Sequence, residues 1–306
     1  MSLDVYVYGM TVLSTIQRCA AGLPLSGGYA EITETHVCPG GEAMNAAMLL
    51  AGLGLRTALG GPHWGVATRS VLKSYAERHG IDVSGVIVDE TFAGLRDLVL
   101  VGGDERAVLG WFGSYFSDPH RRWSEPDANA IARSRVVAID PYFHGSSERA
   151  ARLAREASKP YVTIDCPYDG ALHGAAAATV ISREYRRQRY PAVSDDALFR
   201  EYASRGAGLS IFTAGNEPLR FGRAGQASER FAPFRVDVTS TLGAGDTFRA
   251  GVVFGVVRGF DDRHCVRFAA GLAALMCTRL PIADNVPTLA EVEAFLANAQ
   301  HVLQVS

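Results

Sequence analysis

Lysine is almost missing from this chain: Lys73 and Lys159 are the only two among 30 basic residues, the rest being arginine. That bias reads as genome composition before function. An excess of charge of one sign is also missing. The formal net charge is −2, which leaves no electrostatic footprint for nucleic acid or an anionic membrane. Cysteine is sparse. Cys19, Cys38, Cys166, Cys265 and Cys277 are odd in number and scattered, with no Cys-x-x-Cys pair. This argues against a zinc site or a disulfide framework and fits a reducing, cytoplasmic setting. No apolar run is long and uninterrupted enough to span a membrane. The chain enters strand-like Val5-Tyr6-Val7-Tyr8 with neither a basic leader nor a cleavage site. Repeats, low-complexity tracts and long linkers are missing too. What is present is an ordinary globular composition, 48% hydrophobic and 20% charged over 306 residues. One α/β domain spanning 1–306 is expected.

Strand-like and helix-like segments alternate. Leu3 to Tyr8, Arg135 to Ile139, Tyr161 to Ile164, Thr179 to Ile181 and Leu209 to Thr213 read as buried strands. Ala43 to Leu53 and Ser147 to Ser158 read as helices between them. This order predicts a three-layer α/β/α sandwich with a central, mostly parallel sheet. Two regions break the rhythm. Tyr29 to Val37 alternates like a half-exposed strand, and Leu98 to Val101 and Ala107 to Phe112 flank the hairpin-like Gly102-Gly103-Asp104-Glu105. A small β-strand lid, built from about 29–37 and 96–116, is therefore placed outside the main sheet.

The densest constellation is Gly243-Ala244-Gly245-Asp246-Thr247-Phe248, a glycine turn running into the apolar segment Phe248 to Val257. A helix N-terminus presents free N–H groups and partial positive charge, and glycine lets an anion approach the backbone. Asp246 works against anion binding there. Either it caps the helix, or it takes a proton from an attacking hydroxyl.

The chain resembles the ribokinase-like, or PfkB, carbohydrate kinases. Gly40-Gly41-Glu42-Ala43-Met44-Asn45, followed by Leu50-Ala51-Gly52-Leu53-Gly54, resembles the family's N-terminal pattern. Gly243-Ala244-Gly245-Asp246 with Gly251, about 200 residues later, resembles the C-terminal one. The resemblance implies ATP-dependent phosphorylation of a hydroxyl on a sugar or sugar-like molecule, with ATP and Mg²⁺ as cofactors. It implies Asp246 as catalytic base and Gly243, Ala244 and Gly245 as the anion hole. Gly41 and Asn45 would bind the substrate, and Thr213, Gly215 and Asn285 would border the nucleotide. A nucleoside or sugar-acid kinase stands as an alternative acceptor reading, and a non-catalytic small-molecule sensor on the same fold as an alternative of another class.

Three positions depart from the family pattern. Ser14 stands five residues after Gly9, where a sugar-binding acid is frequent. Ser240 stands three before Gly243, where an Asp often assists a monovalent cation, with Asp237 upstream; that cation is left open. Ser182-Arg183-Glu184-Tyr185 replaces the metal-supporting Asn-x-x-Glu, making Glu184 the candidate metal residue.

Other residues carry bland readings beside functional ones. Asp165 before Cys166-Pro167 is read as a turn residue at a strand end. His63-Trp64 suits a surface turn or the substrate mouth. Trp111, Phe112 and Tyr115 suit core packing, closure over substrate, or a homodimer through the lid. Arg183, Arg186, Arg187 and Arg189 are read as a solvated helix face. Gly251 and Gly255 are read as a close helix-packing stripe.

Overall fold

The computed structural model describes residues 2–103 and 105–299. Its strands are β1 (Val5–Tyr8), β2 (Val12–Cys19), β3 (Ile32–Gly40), β4 (Thr57–Gly60), β5 (Trp64–Gly65), β6 (Val88–Asp89), β7 (Arg96–Gly102), β8 (Glu105–Gly110), β9 (Val136–Ile139), β10 (Tyr161–Ile164), β11 (Ala178–Ile181), β12 (Leu209–Phe212), β13 (Leu219–Gly222) and β14 (Glu229–Phe231). Eight of them form one sheet in the order β14-β13-β12-β11-β10-β9-β1-β4. The pairs from β11–β12 through β1–β4 are parallel, and β13 and β14 add an antiparallel edge.

The parallel strands are buried along their whole length because both faces are covered. On β1, Val5 and Val7 join one apolar cluster while Tyr6 and Tyr8 join another on the opposite face. β9 divides the same way, Val136 and Ala138 against Val137 and Ile139. Residue alternation across a two-sided core is what makes the architecture three-layered. Among the described residues, no helix is long and apolar enough to cross a membrane. The five cysteines are free.

A second sheet, β3-β2-β7-β8, projects from this body. Its composition differs from the sequence expectation in three ways. β2, which pairs with both β3 and β7, went unrecognised. Val12 to Cys19 lacks period-two alternation, since its first residues are buried on both faces where the two sheets meet. The 29–37 strand begins three residues later, at Ile32, and runs on to Gly40. Within 96–116 the strand ends at Gly110, and Phe112–Ser117 is a short helix instead. A Cβ at Gly110 would overlap the Phe112 ring, so the chain turns sharply there. In the hairpin turn between β7 and β8, Asp104 lies outside the described residues.

The helix Ala244–Arg258 is buried over most of its length against the helix Asp262–Cys277. A Cβ at Gly251 would sit 2.5 Å from Ala269 Cα, and one at Gly255 would sit 2.6 Å from Cys265 Sγ. The two glycines are therefore contact points between helices. This packing sets the height of the Gly243 turn above the sheet.

Candidate active site

β1, β9, β10, β11 and β12 all end on the same edge of the sheet, and chain order reverses between β1 and β9. Open α/β sheets bind ligands in such a crevice. Two helix N-termini converge there. Gly41 begins the helix Glu42–Gly52 with φ 85°, where a Cβ would lie 2.6 Å from the Met10 carbonyl. That carbonyl accepts the first N–H groups, Ala43 at 3.1 Å and Met44 at 3.3 Å. Gly243 begins the helix Ala244–Arg258 with φ 70°, and no side chain caps it. A Cβ at Gly245 would meet nothing within 4 Å, so the space before this second N-terminus is open. The Ala244 N–H donates to the Thr241 carbonyl at 3.2 Å, and the helix dipole and the next N–H groups are left for an anion.

Asn45 and Asp246 join the two motifs across 201 residues: Asn45 Nδ2 donates to Asp246 Oδ2 at 2.9 Å. Burial holds the Asp246 carboxyl above its ordinary value, opposed by the Asn45 hydrogen bond and the Arg249 charge. Glu42 lies beside it, accepting from the Tyr142 hydroxyl at 2.9 Å. Burial, then the charges of Asp246 and Asp140, push Glu42 up to about 8.

The sign of its pH effect follows from linkage. The folded chain keeps a proton on Glu42 that the unfolded chain releases above 4.5. The associated stability is full below 4.5 and lost as pH rises through about 8. Glu42→Gln should therefore flatten the fall in stability between those values. Urea midpoints across that window check this, and parallel profiles for variant and wild type would refute it.

Beneath both helices, Asp140 and Arg249 form a fully buried ion pair. Asp140 Oδ2 accepts the Met10 N–H at 2.7 Å, and Arg249 Nη2 donates to the Glu42 carbonyl at 2.8 Å. The pair thus ties the end of β9, the turn after β1 and both glycine motifs into one unit. Neither residue stood out in the sequence, because their pairing spans 109 residues and follows no local pattern.

A cavity of about 430 Å³ opens between these helix ends and the four-stranded sheet. Ser14, Gly41, Asn45, Gly243 and Asp246 line it, together with Glu42, Asp97, Phe112 and Phe116. The remaining expected site residues stand outside it. Ala244 and Gly245 follow Gly243 at the helix start. Thr213 directly follows β12, its carbonyl accepting from Arg186 at 3.0 Å, and Gly215 comes next but one with φ 65°. Asn285 closes a turn, its Nδ2 donating to the Pro281 carbonyl at 2.8 Å. Ser240 is buried and accepts the Leu242 N–H at 3.1 Å, whereas Asp237 is exposed.

Glu184 is exposed in the first turn of the helix Arg183–Arg189. Among the described residues, no group of three or more His, Cys, Asp or Glu is arranged to hold a metal ion. Asp165 adds a second acid to this edge. It does turn the chain, at φ 43°, but the turn reading is incomplete. Its oxygens accept the Ser182 N–H at 2.7 Å and hydroxyl at 2.8 Å, fixing the start of the Glu184 helix. Burial raises it to about 6, with Glu184 and Asp246 adding repulsion.

The arginine run is a solvated face only in part. Arg187 and Arg189 are exposed. Arg186 is buried, paired with Asp195 at 3.0 Å and set over the Phe212 ring. Arg183 pairs with Glu217 at 3.4 Å. Trp64 is buried with Nε1 on Thr11 Oγ1 at 3.1 Å, so it belongs to the core, and His63 does not line the cavity. Of the aromatics after the hairpin, Tyr115 is core, Phe112 lines the cavity and Trp111 is exposed.

A helix N-terminus without a side-chain cap beside a half-buried carboxylate, at the switch point of an α/β sheet, defines a phosphotransferase type of site. The pfkB family of carbohydrate kinases matches residues 3–289, and the chain belongs to that family. An ATP-dependent ribose-1-phosphate kinase of Halopiger xanaduensis is 29% identical over 297 residues, covering 90% of this chain and 92% of that protein. The fold is that of Arabidopsis thaliana ribokinase complexed with ribose and ATP, at TM-score 0.79 and 18% identity, covering 97% and 99% of the two chains. An Escherichia coli protein solved in complex with ATP and Mg²⁺ shares it at TM-score 0.77 and 16% identity, covering 96% and 99%.

Proposed function

We propose that this chain transfers the γ-phosphoryl group of ATP to a hydroxyl of a sugar-like acceptor seated in the 430 Å³ cavity. The observation that carries the reading is the pairing of Asn45 with Asp246 at an uncapped helix N-terminus that faces the cavity. Bound ATP with Mg²⁺ would supply the phosphoryl group and neutralise part of its charge. The chain's residues do the rest. N–H groups around Gly243, Ala244 and Gly245 hold the anion, and Asp246 takes the proton from the acceptor hydroxyl. Gly41, Asn45 and Ser14 place the acceptor. Thr213, Gly215 and Asn285 border the nucleotide. Glu184, with Asp165 beside it, would support the metal. The four-stranded sheet closes over the acceptor and excludes water, the competing nucleophile.

Exposed Val37, Val108 and Leu109 on that sheet, with Trp111 just beyond β8, support a homodimer through the lid. The five free cysteines support a cytoplasmic setting.

ADP release from Mg·ATP against pentoses, hexoses, sugar acids and nucleosides, with Asp246→Asn as blank, tests the reading. A substrate-dependent signal lost in the variant supports it. Binding without turnover across the panel would favour a sensor.

A further inference from the structure

The acid that the lid contributes to the cavity comes from β7. Asp97 stands opposite Ser14 in the parallel β2–β7 register and lines the cavity with it. It is 9% exposed, and its Oδ1 is shielded with no hydrogen-bond partner among the described residues. Burial raises its carboxyl above the ordinary range, and the neighbouring Ser14 only partly offsets that. A buried acceptor left unpaired costs about 1–3 kcal/mol or more, so an arriving donor is strongly favoured there.

The rest of the lining agrees in sign. Glu42 and Asp246 are its other ionisable acids, and none of the described lining residues is Arg, Lys or His. The two cations that act on Asp246 lie outside the lining. Arg249 is held by Asp140 and the Glu42 carbonyl, and Arg106 reaches Thr241 Oγ1 at 3.2 Å. A carboxylate or phosphate on the acceptor would enter this cavity without a counter-charge in the lining and beside the carboxyl groups of Asp97 and Asp246, Glu42 keeping its proton near neutral pH. The Halopiger xanaduensis relative named for ribose-1-phosphate acts on such an anion; this cavity has the opposite character.

We infer that the acceptor is an uncharged polyhydroxyl compound, and that Asp97 is a specificity-determining residue that accepts a hydrogen bond from one of its hydroxyls. This rests on the kinase reading for the identity of the cavity as the acceptor site.

Isothermal titration calorimetry near neutral pH, with a non-hydrolysable ATP analogue and Mg²⁺ present, tests it. The probes are uncharged D-ribose, D-fructose and D-glucose, and anionic D-ribonate and D-gluconate. The proteins are wild type and Asp97→Asn, which keeps side-chain volume. At least one uncharged sugar should bind, the anions at least about tenfold more weakly, and Asp97→Asn should weaken the uncharged sugar about tenfold or more. The melting temperature of the free variant should be unchanged or higher, since a buried unpaired charge is removed. Anions binding as tightly as the sugars would overturn the inference. So would an unchanged affinity in Asp97→Asn, a free variant that melts lower in step with its lost affinity, or no binding of any uncharged probe. Because binding is read, sugar affinity that depends on Asp97 without ADP release would leave this inference standing and sink the kinase reading.

Discussion

Asp246→Asn should lower kcat by about 10²–10⁴-fold or more if the chemical step limits turnover, with ATP affinity kept. The substitution preserves volume, and the amide can still meet Asn45, whose Nδ2 now donates to Asp246 Oδ2 at 2.9 Å. What disappears is the proposed proton acceptor. The contacts proposed for ATP are mainly backbone N–H groups at the start of the Ala244–Arg258 helix, which the substitution leaves in place. Removing a negative charge beside a phosphate should, if anything, tighten nucleotide binding. Steady-state kinetics and a nucleotide titration on the same preparation read the two effects separately. An unchanged kcat would place the base elsewhere. In the wild type, burial raises the Asp246 carboxyl, so the acid limb of kcat/KM should lie above the range of an exposed aspartate.

Arg249→Met should destabilise the fold by about 3–5 kcal/mol, because it leaves the Asp140 carboxylate buried without its cation. The Met10 N–H, at 2.7 Å, is a weak substitute for a guanidinium. Pairing Asp140→Leu with Arg249→Met should cost less than the two single changes added together, since no lone charge then remains. Urea denaturation of the four proteins measures the coupling. A cost below about 1 kcal/mol for Arg249→Met would mean that water or a rearrangement replaces the pair. The damage should also reach the site. Met10 hangs from Asp140, and its carbonyl in turn caps the Glu42–Gly52 helix.

The parts of the site that were legible in the sequence are those set by local backbone rules. Gly41 and Gly243 adopt positive φ at helix starts, which a glycine followed by an apolar helical run announces. β10 occupies the expected residues, because a short β-branched run buried on two faces has a composition of its own. β2 escaped notice because its first three residues are buried in a row, so the strand shows no clean alternation of buried and exposed positions. Asp165 was read as a turn and is one; its second role depends on Ser182, 17 residues away. Arg186 was read as solvated because the run of arginines looks uniform, and only packing against Phe212 and Asp195 sets it apart. Beside the motif acids Glu42 and Asp246, Asp97 in the strand Arg96–Gly102 was a further sign of the cavity's charge, and only its burial next to Ser14 marks it.

The sequence by itself determined the layered α/β architecture, the two glycine-led helix starts and the carboxylate that follows the second of them. These depend on residues within a few positions of one another. Tertiary structure alone decided which acids share the cavity and which arginines are spent in pairs away from it. That outcome belongs to strands and helices separated by 100 residues or more, as with Arg249 and Asp140, 109 apart. The sign of a cavity is a sum over side chains brought together by folding, and no stretch of chain contains that sum.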